Sequence, residues 1–184
     1  KFSFYNNYMI PKICFYDPSL LVNTPNDIIV SAGLDAISHA LESIWNVNFT
    51  PITLAIAKTS LSLSFENLPY ILKDSLSKKR LGKLQLASTL AGIAISQTRT
   101  GIAHSISYPL TAHYRLSHGI ASSLTLPEIL ILNNKNDDGR LKDLSSFLNQ
   151  SDPISLANEL AEMQFNLISK INVLDSIKII DIES

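Results

Sequence analysis

A chain of 184 residues is long enough for one domain with a sizeable core, and its formal net charge of −1, with no dense basic run, argues against nucleic acid or an anionic membrane as partner. Only 17% of the residues are charged against 46% hydrophobic, a lean surface that points to an apolar face covered by a partner or another domain. The single Cys14 excludes an intrachain disulfide and suits a reducing compartment. With no run of eighteen apolar residues and no signal-like amino terminus, the sequence reads as soluble and cytoplasmic.

Taken in order, Phe2, Phe4 and Tyr5 precede the turn signal Asn6-Asn7, and Ile10 to Tyr16 is a short β-rich run ended by Asp17-Pro18. Helices dominate from Asn26 onward. Thr24 can cap a helix with Pro25 at its first position, where the missing N–H costs nothing. Within that helix Leu34, Ile37, Leu41, Ile44 and Trp45 recur at helical spacing and mark a buried stripe. Asp35 and His39, four residues apart, share a face beside it and can point at a common object. On spacing alone the pair reads more readily as a hydrogen-bonded couple at a core edge than as the anchor of a metal site.

Thr50-Pro51 repeats the start signal, opening a helix that runs towards Leu68-Pro69. Lys73 to Arg80 is a polar break, and Ser77 can cap a long helix through Leu84, Ala87 and Ala91 to about Ser96, in which Ala91, Gly92 and Ala94 allow close packing. His104 lies in the opening turns of a further helix that Pro109 limits or kinks. His118 precedes Gly119 at the start of one running through Leu126 to Asn133-Asn134. After the loop Asn136-Asp137-Asp138-Gly139 come two amphipathic stretches, Leu141–Leu148 and Ile154–Ile171. There is no internal repeat and no glycine-rich phosphate loop.

From Pro11 to about Asn134 the chain resembles the C-terminal half of the iron-containing (group III) alcohol dehydrogenases. The motifs that carry the likeness are Asp17-Pro18, Thr24-Pro25, Gly33-Leu34-Asp35-Ala36, His39-Ala40, Glu42, Asn67-Leu68-Pro69, Ala91-Gly92-Ile93-Ala94, Gly101, His104, Tyr114, His118-Gly119 and Leu126-Pro127. The resemblance implies a mainly α fold: a helical bundle of the dehydroquinate synthase-like/iron-containing alcohol dehydrogenase type. Residues 17–184 would form the helical metal-binding domain, ending early at the C-terminus. Residues 1–16 would be the last strands of a missing α/β nucleotide-binding domain, so that the chain is a fragment and inactive by itself.

In that family an Asp and three His bind the metal, and these fall on Asp35, His39, His104 and His118. Fe2+ or Zn2+ suits such nitrogen-rich ligands. His113 has no match in the set and reads as a partly exposed histidine near a loop. Lys1 matches a family lysine that approaches the cofactor ribose. The activity implied is alcohol–aldehyde interconversion by metal-assisted hydride transfer, with NAD(H) or NADP(H) held mainly by the missing half, a small-molecule substrate and a homodimeric assembly.

One position departs from the family pattern. Most members have a second His four residues after the His104 equivalent, and here it is Tyr108, whose phenol can relay a proton. The serine-and-tyrosine form resembles the phosphonoacetaldehyde reductase branch. A phosphonate needs cationic partners, and Arg99 and Arg115 flank the site in sequence. Two rival readings are a dehydroquinate synthase-like lyase, which uses a Glu and two His on zinc, and a non-catalytic helical module for oligomer contacts. The Asp35–His39 pair followed by two further His argues against the lyase.

Overall fold

A computed structural model describes residues 8, 11–72 and 77–171. The expectations for Lys1, Phe2, Phe4, Tyr5 and Ile10 lie outside the described residues. The β-rich run forms no ladder over residues 11–16, which are exposed and irregular. A strand needs a neighbour for its N–H and C=O groups, and among the described residues there is none. A 3-10 turn at Pro18–Leu21 follows, capped by the Asp17 side chain accepting from the Ser19 N–H at 2.8 Å.

Eight α-helices follow among the described residues, with a short 3-10 turn at Leu68–Tyr70. Helix α1 (Asn26–Trp45) is the most deeply covered, because its apolar residues extend well beyond one stripe. Val30, Leu34, Ile37, Ala40 and Ile44 have no exposed surface at all. It starts one residue later than Thr24-Pro25 suggests. Pro25 itself occupies the cap position, and its carbonyl accepts the first helical bond, from Ile29. Helix α2 (Pro51–Asn67) starts where Thr50-Pro51 says it should, with Thr50 and Thr53 satisfying each other's backbone N–H. Helix α3 (Lys78–Thr98) begins behind Ser77, which accepts from the Arg80 N–H.

Helices α2 and α3 pack on each other and on one side of α1. The contact is close because Ala87, Ala91 and Ala94 are fully buried, and because the Ser60 hydroxyl donates to the Ala87 carbonyl at 2.7 Å. Gly92, expected in the same packing surface, faces open space instead. The other side of α1 is covered by α5 (His118–Ser123), which also packs on α4 (Ile102–Tyr114). Helix α4 contains Pro109 and continues past it to Tyr114, ending on Arg115 in the left-handed region at φ 56°.

The single helix expected from His118 to Asn134 is two. Between α5 and α6 (Leu126–Asn134) the chain turns at Leu124-Thr125. Pro127 has no N–H to give to the Ser123 carbonyl, and that carbonyl is met instead by the buried Gln164 amide of α8 at 2.7 Å. Helices α7 (Arg140–Phe147) and α8 (Pro153–Ile168) close the far end, α8 packing on α6. Arg140 donates to the carbonyls of Ile44 and Asn46 at 2.6 and 3.0 Å and lies over the Phe49 ring, so a cation finishes the carbonyl end of α1. Among the described residues no helix is long and apolar enough to cross a membrane.

The depth of α1 sets a stability expectation. Ile37→Ala should cost about 2–5 kcal/mol in urea denaturation, the range for emptying a packed aliphatic site. Val47→Ser, at a position 90% exposed, should shift the midpoint very little.

Candidate metal centre

Asp35 and His39 stand one turn apart on α1, with His39 Nδ1 3.8 Å from Asp35 Oδ2. Helix α4 brings His104 over them. Its ring stacks on His39 at a centroid distance of 4.6 Å and an interplanar angle of 10°, and its Nε2 lies 3.5 Å from Asp35 Oδ1. Helix α5 brings His118, whose Nε2 is 3.6 Å from the same oxygen and whose ring is 5.4 Å from that of His104. Donor atoms of Asp35, His39 and His104 all fall within 4.8 Å of one another. His118 stands at the rim, its side chain 45% exposed.

Close approach of α5 to α1 makes this geometry. A Cβ on Gly119 would sit 1.8 Å from the Ser31 carbonyl oxygen and 3.0 Å from Asp35 Cβ, so only glycine lets the first turn of α5 reach Asp35. Three residues later the Ser122 hydroxyl donates to Asp35 Oδ1 at 3.0 Å. Of the four side chains His104 is the most enclosed, and its Nε2 is buried without a hydrogen-bond partner.

Glu42 was given no task on sequence grounds. It lies three residues after His39, on the same face of α1 and without exposed surface, with Oε2 2.7 Å from His104 Nδ1. The signal that could have found it was a carboxylate in the register of the buried stripe, which demands a partner. Tyr108 lies one turn beyond His104, 41% exposed, and lines an open cavity of about 490 Å³ with His118. Arg115 lines a second cavity, of about 860 Å³, together with Asp35 and His118. Arg99 instead ends α3, its carbonyl accepting from the Asn46 amide. His113, on the last turn of α4, is exposed.

The electrostatics follow from this crowding. Burial works against the Asp35 carboxylate, but His104 and the charges of His39 and His118 hold its pKa below the usual range. Burial lowers the pKa of His39 despite Asp35. Burial also disfavours the His104 imidazolium, yet Asp35 and Glu42 outweigh it and push its pKa up to about 9.

Fold and site together define a helical domain in which one carboxylate and three imidazoles come together from three helices, α1, α4 and α5. Residues 29–184 match the family described as Fe-containing alcohol dehydrogenase family, C-terminal, and the chain belongs to that family. It is 33% identical over 136 residues to the 1-propanol dehydrogenase PduQ of Citrobacter freundii, covering 74% of this chain and 37% of that protein. With the NAD-dependent methanol dehydrogenase of Bacillus methanolicus the identity is 32% over 123 residues, covering 67% of this chain and 32% of that one. The chain thus spans about a third of the length of these curated relatives. Among solved structures, the sulfoacetaldehyde reductase of Bifidobacterium kashiwanohense in complex with NAD+ superposes with a TM-score of 0.79 at 28% identity, covering 82% of this chain and 40% of that chain.

A pH dependence of the metal-free chain follows from His104. Its ring titrates near 6.5 when unfolded and about 9 when folded. The fold therefore gains from the imidazolium in full below pH 6.5 and loses that gain as pH rises through 9. His39, shifted downward, acts below 6.5 and leaves this window to His104. Thermal melts of metal-free protein should show Tm falling between pH 6.5 and 9.5, with a flatter profile in His104→Gln.

Proposed function

We propose that Asp35, His39, His104 and His118 hold a divalent metal, Fe2+ or Zn2+, as the metal-binding half of an NAD(P)-dependent oxidoreductase that interconverts an alcohol and an aldehyde. The observation that carries this reading is His104 Nε2, a buried nitrogen with no hydrogen-bond partner that faces Asp35 while its ring stacks on His39. Leaving such an atom unpaired in a protein interior is costly, and a cation among these donors removes the cost. One carboxylate with several imidazoles suits Fe2+ and Zn2+ in particular.

When bound, the metal supplies Lewis acidity towards the oxygen of an alcohol or aldehyde. The chain's own side chains do the rest. Asp35 contributes the negative charge, and the Ser122 hydroxyl fixes Oδ1. The buried His104 ring stacks on the half-buried His39 and would keep water from that side of the cluster. Tyr108 lines the cavity it shares with His118, and its phenol would pass a proton between the reacting oxygen and solvent. A nicotinamide, when bound, would supply or accept the hydride. Among the described residues no helix opens on a glycine-rich phosphate loop, and we expect NAD(H) and NADP(H) to bind these 184 residues weakly.

A finer reading concerns the substrate. Arg115 lines the larger cavity with Asp35 and His118, and one relative of known structure is a sulfoacetaldehyde reductase. Both support a small aldehyde that carries an anionic group, such as phosphonoacetaldehyde. In calorimetry on Zn2+-loaded chain, 2-hydroxyethylphosphonate should bind, and Arg115→Ala should weaken it.

The metal reading is tested by equilibrium dialysis against Zn2+ with elemental analysis. The wild-type chain should retain one equivalent, Asp35→Ala and His39→Ala should lose it, and His113→Ala should keep it. Zinc retained by the Asp35→Ala and His39→Ala chains would sink the assignment.

A further inference from the structure

Glu42 is a fully buried carboxylate for which the metal reading has no use. It lies seven residues after Asp35 and three after His39, so α1 turns all three to one face. Its oxygens meet four donors from the start of α4. Oε1 accepts from the N–H of Ala103 at 2.8 Å and of His104 at 3.3 Å, while Oε2 accepts from the Gly101 N–H at 2.8 Å and lies 2.7 Å from His104 Nδ1. An ionised carboxylate can only accept, so the hydrogen of that last contact belongs to Nδ1. The neutral ring then carries its lone pair on Nε2. That is the buried, unpartnered nitrogen facing Asp35.

We propose that Glu42 is a positioning residue of the metal centre: it holds His104 as the Nδ1–H tautomer, aims the Nε2 lone pair into the space between Asp35 and His39, and lends the site a second negative charge through the ring. The cation in this account rests on the function proposed above, but the tautomer does not. Two carboxylates, one direct and one relayed, exactly offset the charge of a divalent ion. The same carboxylate caps α4, whose own N-cap, Gly101, has no side chain to do so. Capping alone accounts for the three backbone contacts and leaves the 2.7 Å contact to the ring unexplained.

Glu42→Gln separates the two roles. A glutamine keeps the volume, and its amide oxygen in the place of Oε1 can still accept from the N–H groups of Ala103 and His104, but its NH2 in the place of Oε2 then faces both Nδ1 and the Gly101 N–H, so the cap loses one bond and the ring must take the other tautomer. Two measurements on the full chain test this. In metal-free protein at pH 10, long-range 1H–15N spectra should show His104 protonated at Nδ1 in the wild type and shifted towards Nε2 in Glu42→Gln. In Co2+ titrations followed by visible absorption, Glu42→Gln should bind about 10–100-fold more weakly, with an altered spectrum and an unchanged far-ultraviolet circular dichroism. A wild-type ring protonated at Nε2 overturns the inference whether or not the variant folds. A folded Glu42→Gln that binds Co2+ with wild-type affinity and spectrum also overturns it. An Nδ1–H ring in a wild-type chain that takes up no Co2+ upholds the tautomer and defeats the metal reading instead.

Discussion

Helix α1 is covered on nearly every side and yet carries Asp35, Ser38, His39, Glu42 and Ser43 in its middle turns. Every polar group placed there must find a partner or destabilise the fold. Ser38 and Ser43 bond back to the carbonyls of Leu34 and His39. The remaining partners come from other helices: Thr98 at the end of α3 donates to the Ser43 hydroxyl, the start of α4 serves Glu42, and Ser122 of α5 serves Asp35. Polar satisfaction of α1 thus selects which ends of which helices dock against it. Two of those helices, α4 and α5, carry His104 and His118.

Much of this was legible because it is periodic or local. The spacing of Leu34, Ile37, Leu41 and Ile44 located α1 and put Asp35 and His39 on one face. Thr50-Pro51 and Ser77 marked two helix starts through cap chemistry that needs no tertiary partner. The convergence of His104 and His118 on that pair was reached through family resemblance, since no periodicity links residues about seventy positions apart.

What was missed depends on tertiary partners. The break between α5 and α6 is stabilised by Gln164, forty-one residues away from Ser123. Gly92 looked like part of a packing surface with Ala91 and Ala94, but the register of α3 turns it outward. Residues 11–16 have strand-forming composition and no strand to pair with among the described residues. Glu42 sat in a quoted motif without a role, because an acidic residue in a helix reads as solvated until something shows that its face is buried.

The four clustered side chains are not equivalent, and their differences follow from the helix ends that carry them. His104 enters on the first turn of α4, pinned from behind by Glu42, and is 2% exposed. His118 begins the six-residue α5 and is held near Asp35 by the close approach that Gly119 permits. Its side chain is nearly half exposed, and it lines both open cavities, one shared with Tyr108 and the other with Arg115. Rigidity therefore lies on the α1–α4 side of the cluster and access on the α5 side. The larger cavity opens onto Asp35 between His118 and other lining residues that include Arg115, while Tyr108 and His118 line the smaller one. On the function proposed above, charge recognition by Arg115 and proton transfer by Tyr108 would both act beside the exposed His118, while the buried His104 ring stays pinned behind it by Glu42.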